Sequence, residues 1–297
     1  MVRVQVPATT ANLGPAFDAV GMALQLYNVV EMTEIPAGLV IEVEGQGADI
    51  IPQDETNLVY QMARATFDWV GYRHKGLRIK LINNIPVSSG LGSSAAAIIG
   101  GIVAADIIAG EKLTTSELLV LANAREGHPD NVAAALMGGV VVAVAQGNTV
   151  ESFRFTPPQG LRAVVAVPQF PMSTKTARSL LPSGVSFQDA VFNVGRTALL
   201  VASLAKGNLD GLSLGTEDRL HQPYRSHLIP GMSEVLTAVR KAGAKGVALS
   251  GAGPTLIAFT AGKEAEVACT MRDTWAAHGV QAEVMVLDPD QQGARVI

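Results

Sequence analysis

The stretch that most limits how this chain can fold is Pro86-Val87-Ser88-Ser89-Gly90-Leu91-Gly92-Ser93-Ser94-Ala95-Ala96. It lies between a β-like run at 77–82 and an Ala/Ile-rich segment at 93–109, which is too long for a strand and rich in helix formers. A strand, a glycine-rich loop and a buried helix are therefore expected in succession. Glycines let the backbone approach a ligand closely, and the free amides and positive dipole end of the following helix favour an anion. This is a phosphate-binding design, and its bland alternative is a Gly/Ser helix start with no ligand. From 81 to 110 there is no Lys or Arg and one acid, Asp106, so a phosphate here would be held by backbone amides, hydroxyls and a metal ion. A Walker A loop is excluded because it needs Gly-Lys-Ser/Thr. Gly90-x-Gly92-x-x-Ala95 also fits the dinucleotide fingerprint, but residues 83–89 separate it from the strand and a second helix follows the first. A dinucleotide oxidoreductase is therefore the weakest reading.

Around this loop, the first half reads as strands at 2–6, 23–35, 39–44 and 77–82, with a helix at 57–70. Thr114-x-x-Glu117 matches a capping box and opens a helix to about 126, which the His128-Pro129 step closes; Asp130 is placed to cap the next helix. Strands at 138–145 and 150–155 precede Thr156-Pro157-Pro158-Gln159-Gly160, the best linker in the chain, so the expected division is 1–157 and 158–297. Beyond it come strands at 161–167, 246–249, 256–260 and 281–287, and helices at 174–181, 187–206, 209–220, 232–242 and 264–278. Helices and strands segregate as in an α+β fold.

A length of 297 residues suits two domains. The 22 basic and 26 acidic side chains leave a net charge of −4, which argues against a nucleic-acid binder. With one cysteine, Cys269, and no zinc-like Cys/His cluster, neither disulfides nor a structural metal are expected, and the setting reads as cytoplasmic. The weakly charged stretch at 95–110 is shorter than a bilayer span, and the N-terminus lacks an apolar signal core, so neither membrane insertion nor export is expected.

Glu126 falls in the last turn of its helix, where the dipole disfavours an anion by about 0.3–1 kcal/mol at exposed sites. A Mg²⁺ ion bridging nucleotide phosphates would offset that, with the hydroxyl of Ser94 or Ser93 as a second protein ligand; the alternative is a solvated surface glutamate. Taken alone, Asp130 is explained as a helix cap and His128 as a loop histidine. Asn12 and Asp18 are the chief polar groups of a turn, Ala8-Thr9-Thr10-Ala11-Asn12-Leu13-Gly14-Pro15-Ala16-Phe17-Asp18, whose chemistry could account for both.

Together these segments resemble the GHMP kinases, the superfamily of galactose, homoserine, mevalonate and phosphomevalonate kinases. Four blocks carry the resemblance across nearly the whole chain: residues 7–18, the loop at 86–96, Glu126-Gly127-His128-Pro129-Asp130-Asn131, and Ser250-Gly251-Ala252-Gly253-Pro254-Thr255. The first and third blocks, with Thr174-Lys175-Thr176-Ala177-Arg178, look like the homoserine branch. One departure is Ala16, where the family usually has glycine; it removes no functional group.

The resemblance implies a two-domain α+β fold, with an N-terminal domain like ribosomal protein S5 domain 2 that binds ATP and a ferredoxin-like C-terminal domain. It implies phosphorylation of L-homoserine by ATP in threonine biosynthesis, and a homodimer as the common assembly. Carried over residue by residue, residues 86–96 would cradle ATP, and Ser94 and Glu126 would hold Mg²⁺. Asn12, Asp18, Asp130 and Asn131 would surround the amino and hydroxyl groups of homoserine. Arg178 and Arg225 would take its carboxylate, with Thr174 near the reacting hydroxyl. Catalytic contacts would fall to Asp18, Asn131 and Thr174, the identity of any proton acceptor being open. Alternatives are another kinase of the superfamily, such as one acting on mevalonate, or a non-catalytic nucleotide sensor.

Overall fold

The computed structural model describes residues 1–170 and 172–297. The first layer starts with β1 (Val2–Ala11) and β2 (Val20–Glu34), followed by β3 (Gly38–Gly45), α1 (Leu58–Val70) and β4 (Gly76–Asn83). Next come α2 (Ser93–Ile108), α3 (Thr115–Glu126), α4 (Pro129–Met137), β5 (Val140–Gln146) and β6 (Thr149–Phe155). β2 is the spine of this sheet: it pairs antiparallel with β1 along its length, with β5 through Val20–Met22 and with β4 through Val29–Glu34. β3 lies parallel to β4 at the edge. Helix α2 is apolar on nearly every side, and Ile98, Ile99, Ile102 and Ala105 are buried between the sheet and its neighbouring helices.

The second layer is built from β7 (Arg162–Pro168), α5 (Thr174–Ser179), α6 (Phe187–Lys206), α7 (Leu212–Gly215), α8 (Gln222–Arg225) and α9 (Met232–Lys241). It is completed by β8 (Gly246–Leu249), β9 (Leu256–Thr260), α10 (Glu264–Ala277) and β10 (Ala282–Leu287), before a last short strand, β11 (Arg295–Val296). Its sheet runs β10-β7-β9-β8, antiparallel throughout. The central strands are apolar from Ala163 to Pro168 and from Leu256 to Phe259, because both faces are covered. Val164, Ala166, Leu256 and Ala258 pack on α9 and α10 around Trp275, whereas their alternates Ala163, Val165, Ile257 and Phe259 join the main core with Leu200 and Leu204 of α6.

The structure differs from the sequence reading at three places. The helix expected over 209–220 is broken: a short 3₁₀ turn at Leu209–Gly211 leads into α7, and the chain then turns around the Asp218 carboxylate, which accepts from the amides of Leu220, His221 and Gln222. A side chain that captures three nearby amides competes with the helical ladder. Asp130 is not the cap of α4; His128 is, Pro129 is the first helical residue, and Asp130 accepts from the amide of Asn131. β11 was not anticipated. It returns the end of the chain to the first sheet beside β1, held by Asp290, which accepts from Tyr27 and from the amides of Gln292 and Gly293.

Candidate active site

The glycine-rich loop takes its shape from carbonyl groups that the rest of the protein holds. The carbonyls of Ser88, Ser89, Gly90 and Leu91 accept, in order, from Met172 N (3.3 Å), Thr255 N (3.0 Å), Ser250 Oγ (2.7 Å) and Thr9 N (3.0 Å). With the carbonyls turned away, the amides face the other side. Among the described residues no protein acceptor reaches the amides of Gly90, Gly92, Ser93, Ser94 or Ala95, and the first bond of α2 runs from Ala96 N to Gly92 O. Gly90 (φ +90°) and Gly92 (φ +71°) sit in the left-handed region, and a Cβ on either would collide, with the Ser250 and Gly253 carbonyls or with Thr9 Oγ1.

This loop borders a cavity of about 350 Å³. Val87, Ser88, Ser89, Gly90, Gly92, Ser93, Ser94 and Ala96 line it, whereas Leu91 and Ala95 point into the core and offer backbone only, and Pro86 stands outside it. At the far end the walls are largely apolar, with Val30, Ile51, Leu58 and Leu81 beside the amides of Asn28 and Asn57. Ser94 Oγ donates to Glu126 Oε2 at 3.0 Å, and no ion pair within 4 Å engages Glu126 among the described residues.

The near end gathers charge from both layers. Asn12 and Asp18 have left-handed backbones (φ +68° and +57°); Asn12 Oδ1 accepts from the Asp18 amide, and Asn12 Nδ2 donates to Gly251 O, both at 2.9 Å. Arg178, near the end of α5, donates to both oxygens of Asp18. Asp130 is buried and accepts from the Asn131 amide (2.7 Å) and from His128 Nδ1 (3.1 Å), while Asn131 Oδ1 accepts from Thr9 Oγ1. Donor atoms of Asp18, His128 and Asp130 lie within 4.8 Å of one another. Burial opposes charge on His128, but the bond to Asp130 and the charges of Asp130, Glu126 and Asp18 together raise its pKa. Arg225 is buried with no carboxylate partner among the described residues; burial, then repulsion from Arg178, pushes it down to about 10, so it remains cationic near neutrality. Thr174, at the start of α5, completes the rim.

All the acids, amides and arginines named from the sequence thus meet in one cavity. His128, Phe17 and Gly251 also line it. Phe17 carries the guanidinium groups of Arg178 and Arg225 near its ring, at 5.2 and 5.3 Å from the centroid. Phe17 and Gly251 stand in two of the blocks that carry the resemblance, and nothing local singled out the apolar end, whose residues come from separate strands and loops.

Two family models match the chain: GHMP kinases N terminal domain over residues 57–139 and GHMP kinases C terminal over residues 200–277. The chain is 48 % identical over 297 residues to homoserine kinase of Moorella thermoacetica and 46 % identical over 299 residues to that of Desulfitobacterium hafniense, in both cases covering 100 % of each protein. The crystal structure of homoserine kinase from Cytophaga hutchinsonii superposes with a TM-score of 0.90 at 30 % identity, covering 100 % of this chain and 97 % of that one. The mevalonate kinase of L. major, at 16 % identity and a TM-score of 0.73, shares the fold. Among the described residues no helix is long and apolar enough to cross a membrane. With its glycine loop, its two sheets and its full-length likeness to these enzymes, the chain belongs to the GHMP kinases, in their homoserine kinase branch.

Proposed function

We propose that the chain transfers the γ-phosphoryl group of ATP to the hydroxyl of L-homoserine, giving O-phospho-L-homoserine and ADP in threonine biosynthesis. One observation supports this most: a single cavity has unengaged loop amides on one wall and both signs of charge, Asp18 and Asp130 with Arg178 and Arg225, on another. A triphosphate needs the first, and a zwitterionic amino acid needs the second. Mevalonate has no ammonium group for these two acids to receive.

In this reading the amides of Gly90, Gly92, Ser93, Ser94 and Ala95 take the phosphates, and the apolar end takes the base. Ser94 and Glu126 would hold Mg²⁺: both offer the hard oxygen such an ion requires, and no ion pair within 4 Å already engages Glu126 among the described residues. When bound, the ion would neutralise charge on the phosphates. Arg178 and Arg225 grip the carboxylate of homoserine, Asp18 and Asp130 receive its ammonium group, and Asn12, Asn131 and Thr174 orient its hydroxyl. Because Arg178 and Asp18 hold each other in the free chain, binding exchanges that contact for two contacts to substrate. Phosphoryl transfer depends chiefly on positioning and charge stabilisation, so no strong base is required.

We further propose 1–157 and 158–297 as the domains, a cytoplasmic setting, and a homodimer. Phe187, Val191 and Val194 form an exposed apolar strip on α6 that a second copy would cover. A coupled assay of ADP release with homoserine, mevalonate and galactose tests the central reading. Homoserine-dependent release is expected; release dependent only on another acceptor, or on none, would overturn it.

A further inference from the structure

We propose that His221 is a positioning residue for the acceptor, a neutral imidazole whose bare Nδ1 holds the Arg225 guanidinium in place. The inference rests on reading Arg225 as a carboxylate ligand. His221 itself cannot touch the acceptor, for its side chain is 1 % exposed and lies outside the cavity.

Its protonation state follows from its two partners. Nε2 lies 2.6 Å from the carbonyl oxygen of Gly14, which can only accept, so Nε2 carries a hydrogen. Nδ1 lies 3.1 Å from Nη1 of Arg225, which can only donate, so Nδ1 presents its lone pair. Only the neutral Nε2–H tautomer satisfies both. The charged groups facing the ring are Asp218, whose Oδ2 is 3.6 Å from Nε2, Arg225 and, more remotely, Asp18. Burial and Arg225 favour the neutral ring against the pull of Asp218, whose oxygens are already engaged by three backbone amides and Asn193 Nδ2.

Arg225 needs such a partner. Its Nε donates to Ala177 O (3.3 Å) and its Nη1 to Gly251 O (3.1 Å) and His221 Nδ1, while Nη2 has no acceptor among the described residues. His221 is therefore the one side-chain acceptor among the groups that set the plane of the guanidinium. The same ring ties the turn at Gly14, four residues before Asp18, to α8. It also lies 5.1 Å, centroid to centroid, from Phe17, over which both arginines sit. Through one imidazole, the loop that carries Asp18 and the helix that carries Arg225 keep a fixed spacing.

Two amide substitutions separate the two bonds of the ring. The side-chain oxygen of asparagine can stand where Nδ1 stands, and the side-chain nitrogen of glutamine where Nε2 stands. His221→Gln should keep the bond to Gly14 and lose the acceptor for Arg225; His221→Asn should do the reverse. Losing a bond to a charged group predicts that His221→Gln raises KM for homoserine about ten-fold or more, while KM for ATP moves less than about two-fold. His221→Asn should stay within about three-fold of wild type for homoserine. Activity on homoserine carboxamide should be far less sensitive to His221→Gln, and His221→Gln added to Arg225→Ala should change nothing further.

Equal losses in the Gln and Asn variants, or equal losses on homoserine and its amide, would make His221 merely structural and overturn the inference. Wild-type protein that ignores homoserine would sink the proposed function, and an unchanged homoserine KM in Arg225→Ala would sink the carboxylate reading; either takes this inference with it. Should His221→Gln not fold, the ¹⁵N resonances of the wild-type ring decide. A neutral Nε2–H ring between about pH 6 and 8 is expected, and a protonated ring or an Nδ1–H tautomer would refute the inference.

Discussion

Arg178 grips both carboxylate oxygens of Asp18, at 2.6 and 3.0 Å, across 160 residues of sequence. Both side chains are about a third exposed, at 35 % and 32 %, so solvent screening leaves the pair little to contribute to stability. Its position matters more. The pair closes the charged end of the cavity and joins the first-layer turn to α5.

Asp18→Asn keeps the shape and removes the charge. The melting temperature should shift by no more than about 2 °C, while kcat/KM for homoserine falls about a hundred-fold. Steady-state kinetics beside a thermal melt check this. Near-normal kinetics in a stable variant would return Asp18 to the role of a turn residue.

Replacing Arg178 or Arg225 by alanine should lower kcat/KM for homoserine about ten- to a hundred-fold or more, because a bond to a charged group contributes about 1.5–3 kcal/mol. Arginine to lysine should lose much of the activity too, since a point charge cannot reproduce a two-pronged grip. ATP affinity should hardly move. Measuring both homoserine and its carboxamide gives the comparison, and equal losses on the two acceptors would remove the arginines from the carboxylate.

Ser94→Ala and Glu126→Gln should each raise the Mg²⁺ concentration needed for half-maximal turnover by about ten-fold or more and leave the fold intact, because Mg²⁺ tolerates little distortion of its oxygen shell. Titrating Mg²⁺ at fixed ATP provides the measurement. Wild-type Mg²⁺ dependence in both variants would refute the assignment.

Gly90→Ala sets a Cβ against two backbone carbonyls, those of Ser250 and Gly253, at a φ of +90°. Neither carbonyl can rotate away like a side chain, so the loop must shift. A stability loss of about 1–3 kcal/mol and a rise of about ten-fold or more in KM for ATP are expected. A denaturant melt and nucleotide titration would show it. Unimpaired ATP use would dissociate the loop amides from phosphate binding.

His221 is held neutral, so its folded pKa lies below the unfolded value. Below about pH 6.5 the unfolded chain takes up a proton that the folded chain refuses, and stability falls as pH falls, by up to about 1.4 kcal/mol per pH unit. His221→Asn lacks this contribution. The stability advantage of wild type over the variant should therefore shrink as pH drops below about 6.5, and His128, raised by Asp130 and present in both proteins, cancels from the difference. Denaturant unfolding at a series of pH values tests the sign; a gap that widens toward acid would contradict a neutral His221.

The amino-acid sequence alone determined the strand, glycine loop and helix at 77–109, the capping box at Thr114 and Glu117, and the apolar strands of the second sheet, because each rests on interactions within a few residues. The acids and arginines of the site were legible only through their blocks taken together, since a polar turn or a cap explains each one locally. Tertiary structure decided the rest. The segment at 209–220 ends its helix at Gly215 and then turns around Asp218, which captures the amides of Leu220, His221 and Gln222, and β11 forms only because β1 offers it an open edge. The direction of the loop carbonyls depends on donors at Thr9, Met172, Ser250 and Thr255, and the state of His221 on Gly14 and Arg225. Hydrogen-bond geometry between groups so far apart in sequence is set by where the packed layers leave them, and no local pattern encodes it.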